Sequence, residues 1–94
     1  MNKYGLDERS FDLIIDAIGH YADIDEARIF GSRALGNYKS VSDIDIALMG
    51  NLKDTTASGL RYFLNNAAPF LYRVDVLDYV RLSNQELKKH IEYF

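Results

Sequence analysis

The residues best suited to chemistry lie in Gly31-Ser32-Arg33-Ala34-Leu35-Gly36-Asn37-Tyr38-Lys39-Ser40-Val41-Ser42-Asp43-Ile44-Asp45-Ile46, where ten residues separate a Gly-Ser pair from an Asp-x-Asp pair. Asp43 and Asp45 alternate with Ile44, Ile46 and Leu48, and residues two apart on a strand point to the same face. With the apolar set turned to the core, the two carboxylates stand side by side on the opposite face. Like charges so placed repel, and a cation between them relieves the repulsion. A glycine lets backbone N–H groups approach an anion, and a helix opening after it adds the positive end of its dipole. Phosphate on one side and a divalent metal on the other is the layout of a nucleoside triphosphate site.

A third carboxylate is at hand. In Leu71-Tyr72-Arg73-Val74-Asp75-Val76-Leu77, Val74 and Val76 share one face and Asp75 looks the other way. Beside the strand that carries Asp43 and Asp45, Asp75 completes a three-carboxylate cluster. Such a cluster can hold two Mg²⁺ ions about 3.5–4 Å apart and stabilise the attacking and leaving oxygens of an in-line displacement. Phosphoryl-type transfer needs positioning and charge neutralisation more than covalent help. That suits a chain with no cysteine and no well-placed histidine. An EF-hand does not fit, because no glycine or twelfth-position glutamate follows at the required spacing.

The elements that must position these groups are legible. Asp7 reads as an N-cap, with Leu6 and Phe11 as a hydrophobic staple. Phe11, Ile14, Ile15 and Ile18 then keep the three-four spacing of a core-facing helix to about His20, a partner for that helix's C-terminal dipole. Ala27 to Phe30 is a short strand, Arg33 to about Gly36 a helical turn, Asn37 to Ser42 a loop, and Asp43 to Met49 the second strand. Asp54 is a candidate cap for a helix whose inner face is Ala57, Leu60, Phe63, Leu64 and Ala67. Pro69 ends that region, and Phe70 to Leu77 is the third strand. Ser83 with Glu86 reads as a capping box, and Leu82 with Leu87 as a second staple. A helix over 84–92 follows, with Leu87, Ile91 and Phe94 inward, and Lys88-Lys89-His90 beside its C-terminal dipole. A second Asp-Ile-Asp, Asp23-Ile24-Asp25, has no Gly-Ser ahead of it and reads as a solvated loop. Asp78, of opposite parity to Asp75, reads as a strand-end surface residue. The expected product is one domain over residues 1–94, a small sheet covered by helices.

Composition bounds the partners. Net charge is −3, which argues against nucleic acid as the main partner. Residues 27–42 form a basic island of Arg28, Arg33 and Lys39 without an acid, suited to a small anion. No apolar run approaches a membrane span, and Met1-Asn2-Lys3-Tyr4-Gly5 lacks a signal-peptide core, so a soluble cytoplasmic protein without a membrane partner is expected.

Gly31-Ser32, Asp43-Ile44-Asp45 and Asp75 together resemble the nucleotidyltransferase superfamily that includes the DNA polymerase β palm. The wording Gly-Ser-Arg-Ala-x-Gly…Ser-Asp-Ile-Asp-Ile resembles its minimal branch, the MNT proteins, often the antitoxin-side partners of all-helical HEPN proteins. Leu35 and Lys39-Ser40 depart from the usual wording, which bears on nucleotide affinity. The resemblance implies an α/β (α+β) fold with a small mixed sheet covered by helices. It implies that Gly31 and Ser32 hold phosphates, with Arg33, Lys39 and Ser42 as further candidate nucleotide contacts. Asp43 and Asp45 would bind metal, and Asp75 would bind metal or draw the proton from the attacking hydroxyl.

Two functions follow from that resemblance. One is an Mg²⁺-dependent enzyme that transfers AMP from ATP to a hydroxyl on a HEPN-type partner. The other is a binding module that neutralises or scaffolds a helical partner. The chain is consumed by the catalytic core, leaving no acceptor surface, and its seven tyrosines and five phenylalanines suit an interface with a partner chain or a second copy. Half-buried tyrosines with wet hydroxyls account for the same count.

Overall fold

Asp7 opens the first helix: its side chain accepts the Ser10 amide at 2.7 Å, and α1 (Glu8–Gly19) follows in the computed structural model, which describes residues 2–66 and 72–93. His20 closes α1 as its C-cap. The inward stripe is Ser10, Ile14 and Ala17, flanked by Phe11 and Ile18. Ile15, expected inward, is 52% exposed, because one further residue rotates it about 100° from Ile14 and out of the stripe.

After α1 come β1 (Glu26–Phe30), α2 (Ser32–Leu35), β2 (Ile44–Met49), α3 (Thr56–Asn66), β3 (Val74–Asp78), a 3₁₀ turn at Tyr79–Arg81, and α4 (Gln85–Tyr93). The sheet order is β1-β2-β3. β1 runs antiparallel to β2 with Phe30 opposite Asp45, and β3 runs parallel to β2 with Asp75 opposite Asp45. Parallel neighbours need a crossover, and α3 provides it. The expected small mixed sheet covered by helices is the architecture found.

One sheet face carries Ile44, Ile46, Leu48, Val74 and Val76, which pack with Leu6, Ile14, Ala17, Leu60 and Leu64 into the main core. The other face is divided. At one end Phe30 and Ala47 pack under Ile91 of α4, and Arg28 donates to the carbonyls of Ile91 and Glu92 at 3.3 and 3.2 Å. Directly beside Phe30 the same face presents Asp45 and, across from it on β3, Asp75.

Several element ends differ from expectation. Tyr72 and Arg73, expected within the third strand, precede it, and β3 begins at Val74, where Asn65 of α3 bonds both the N–H and the C=O of Val74 at 2.8 Å. Asn84, not Ser83, caps α4, taking the Leu87 amide at 3.1 Å. Asp54 pairs with Arg81 instead of capping α3. Asp23-Ile24-Asp25 lies in a loop as expected, with Asp25 exposed, but Asp23 also accepts the Lys53 amide at 2.9 Å and the Thr56 hydroxyl and so anchors the entrance of α3. Phe63 is 47% exposed rather than inward. Asp78 is largely covered, and its carboxylate takes the Val80 amide and pairs with Arg81. The readings on Ala67, Pro69, Phe70 and Phe94 lie outside the described residues. Among the described residues no helix is long and apolar enough to cross a membrane.

Candidate active site

Gly31 joins β1 to α2 with φ +76°, a backbone conformation that side chains with a Cβ rarely adopt. A Cβ there would also stand 2.5 Å from Asp45 Oδ2. Glycine at this position therefore brings the backbone directly against the Asp45 carboxylate. Gly31 is the N-cap of α2, and Ser32 is its first helical residue, half-buried.

The Gly31 amide has a partner that the spacing of the motif does not announce. It donates to Nε2 of His90 at 2.9 Å, and the same ring meets Phe30 edge-on at 6.1 Å. His90, in the last turn of α4 as expected, therefore also belongs to the site. The signal in the sequence was slight: one histidine beside the inward Ile91, 59 residues away from its partner.

Asp45 stands between like charges. Burial pushes its carboxyl above the ordinary value of 3.8, Asp75 and then Asp43 push it further, and His90 acts in the opposite sense. Asp43 and Asp75 line a cleft of about 450 Å³ together with Arg61, Asn65, Arg73 and Val74. Arg61 and Asn65, one turn apart on α3, share a helix face. Arg61 reaches to 3.8 Å from Asp75 Oδ1. That same oxygen accepts the Val76 amide at 3.0 Å.

The donor set fits a hard divalent cation, since three carboxylates offer oxygen ligands and leave an electrostatic deficit around Asp45. The expected closed cluster is nevertheless looser in the structure. Among the described residues no three carboxylate or imidazole groups converge on one point, because Val76 N–H and Arg61 draw the Asp75 carboxylate toward the outer edge of β3. A closed cluster would require the exposed Asp43 and Asp75 side chains to turn inward.

Arg33 corrects an expectation. It is 1% exposed and clamps backbone rather than meeting a ligand. Its guanidinium donates to the carbonyls of Tyr4 at 2.8 Å, Ser42 at 2.9 and 3.1 Å, Ser40 at 3.3 Å and Gly5 at 3.4 Å. It lies between the rings of Tyr38 and Tyr72, at 5.2 and 5.0 Å from their centroids. A buried guanidinium is stable only with its donors paired, and this one holds the residue preceding Asp43. Ser42 takes part in the same brace, accepting the Lys39 amide on its hydroxyl at 2.8 Å. The Lys39 side chain is exposed on that loop.

A glycine backed against a half-buried carboxylate, two further aspartates on the same flank, and the α2 N-terminus beside them make up a site that can position a phosphate next to a charge cluster. Comparison with curated protein sequences finds no match. The sequence model of the family described as Polymerase beta, Nucleotidyltransferase matches residues 12–93, from within α1 to the end of α4. The chain therefore belongs to the polymerase beta nucleotidyltransferase family, which supports a nucleotidyltransferase-type function.

Proposed function

We propose that this chain, acting in the cytoplasm, transfers AMP from ATP to a hydroxyl of a HEPN-type helical partner, as the antitoxin side of a two-protein system. The observation that carries the reading is the contact between Gly31 and Asp45, with Asp75 and Asp43 close enough to raise the Asp45 carboxyl. Gly31 and Ser32 hold the triphosphate tail. Asp43, Asp45 and Asp75 would hold Mg²⁺, which when bound would neutralise developing charge in the transfer. The acceptor oxygen bonds to the α-phosphorus, the bond from that phosphorus to the bridging oxygen breaks, and pyrophosphate leaves. Asp75 takes the proton of the attacking hydroxyl. His90 fixes the Gly31 peptide, and Arg33 fixes the backbone entering Asp43.

A second reading draws on two observations: the Gly31 amide is already engaged by His90, and Asp75 leans to the strand edge. In that reading the chain is a binding antitoxin that neutralises its partner without chemistry.

The test is incubation with the partner and Mg-ATP, followed by intact-protein mass spectrometry. One or more AMP increments on the partner are expected from wild type and none from Asp43→Asn, although both chains bind the partner. Mg-ATP should also raise wild-type stability, by roughly 2.7 kcal/mol at a hundredfold excess over Kd. An unmodified partner, equally neutralised by both proteins, would leave the binding reading standing.

A further inference from the structure

The three strands lay the site out in one direction. The Gly31-Ser32 turn leaves the end of β1, Asp45 lies on the central β2, Asp75 on β3, and the cleft of Arg61, Asn65 and Arg73 lies beyond, against α3. In an in-line displacement the attacking and leaving oxygens stand on opposite sides of the phosphorus. With the triphosphate tail on the β1 side, the attacking hydroxyl must arrive from the β3 side, through this cleft.

The chemistry of that entrance is distinctive. Arg61 is 53% exposed, and among the described residues it makes one ion pair, to Asp75 at 3.8 Å, beyond hydrogen-bond length. Arg73 is exposed and makes no ion pair among the described residues. Two guanidinium forks, each with five N–H donors, therefore face whatever enters, beside the Asp43 and Asp75 carboxylates that line the same cleft and are assigned to the reacting centre. They match carboxylates bidentately and repel cationic groups. Tyr62, the residue after Arg61, is 72% exposed and neighbours Asn65 across one turn of α3. An exposed aromatic continuing from a charged cleft suits a polypeptide more than a small molecule.

We propose that the Arg61–Arg73 cleft is the acceptor subsite, and that it selects a hydroxyl flanked by acidic residues in a peptide segment. This deepens the proposed nucleotidyl transfer and rests on it. Arg61 and Arg73 hold the flanking carboxylates, which places the acceptor hydroxyl beside Asp75 on the side opposite Gly31.

Two fluorescein-labelled peptides test this, each with one tyrosine, one serine and one threonine, flanked by glutamates in one and by lysines in the other. Binding is read by anisotropy, and AMP addition by mass spectrometry with Mg-ATP. The wild type is expected to bind and modify the acidic peptide roughly tenfold better than the basic one. Arg61→Gln with Arg73→Gln should abolish that preference and keep the Mg-ATP thermal shift. Arg61→Glu with Arg73→Glu should reverse the preference. Equal use of both peptides, a preference that survives the double variants, or modification of neither by a protein that shows the thermal shift overturns the acceptor assignment. Absence of the Mg-ATP shift in wild type overturns the transfer reading beneath it.

Discussion

Asp23-Ile24-Asp25 and Asp43-Ile44-Asp45 are the same three residues with opposite electrostatic fates. In the first, Asp23 accepts from the Thr56 hydroxyl and the Lys53 amide, and those bonds hold its carboxyl below the ordinary range. In the second, burial and two neighbouring carboxylates push Asp45 up. Each triplet is backed by a glycine at positive φ. A Cβ on Gly50 would strike the Asp23 carbonyl, and one on Gly31 would strike the Asp45 carboxylate. Donors around a carboxylate make an anchor, whereas other carboxylates around it make a site that seeks a cation. The surroundings supplied by distant chain segments, not the triplet, decide which.

The largest effect that can break this contrast is on transfer itself. Asp45→Asn should slow AMP transfer to the partner by roughly 10²–10³-fold, the loss expected when one charge-stabilising group leaves a preorganised site. Asp25→Asn should leave the rate within about twofold, as expected of a loop residue outside the reacting groups. Mass spectrometry over a time course reads both, and comparable losses would end the distinction between the triplets.

The glycines sharpen it. Gly31→Ala and Gly50→Ala should each cost about 1–3 kcal/mol in denaturant unfolding, the cost of a strained backbone. Only Gly31→Ala should also lose the Mg-ATP thermal shift, because its methyl displaces the Asp45 carboxylate. A Gly50→Ala protein without that shift would tie the two regions together.

The smallest effect belongs to the anchor. Asp23→Ala should lower the melting temperature by roughly 4–8 °C, with Mg-ATP binding unchanged. The pH dependences run in opposite directions. The folded value of Asp23 is depressed, so its contribution is complete above 3.8 and is lost as pH falls through that folded value. The folded value of Asp45 is raised, so its ionised form weakens the ligand-free fold at neutral pH. That penalty fades as pH falls through the raised value toward 3.8. Melting curves of Asp23→Ala and Asp45→Asn against wild type from pH 7 to pH 3 separate the two signs.

The parts of the molecule governed by short-range rules were legible. Alternation placed Asp45 and Asp75 on one face, and a Gly-Ser pair ahead of Asp43 located the turn. Arg33 was misread because a basic residue after Gly-Ser looks like a phosphate contact, whereas its carbonyl acceptors come from residues 4, 5, 40 and 42, which no periodicity connects. The contact of His90 with Gly31 was missed for the same reason, since its partner lies 59 residues away along the chain. Ser83 satisfied the wording of a capping box, yet the next residue, Asn84, is as good a cap and the helix starts after it. Arg61 and Asn65 were not singled out, because nothing local shows that β3 docks beside them.

The bonds on the outer side of β3 have a consequence for assembly. Strands at a sheet margin invite further strands through unpaired N–H groups. Here Asn65 closes off Val74, and the Asp75 carboxylate closes off Val76. The acid assigned to proton removal thus also guards the sheet against sideways growth. When Asp75 turns inward, the Val76 amide loses its partner, so a working site and a sealed margin draw on one side chain. Asn at position 75 keeps an acceptor for that amide, whereas Ala leaves the margin open to a neighbouring strand and to self-association.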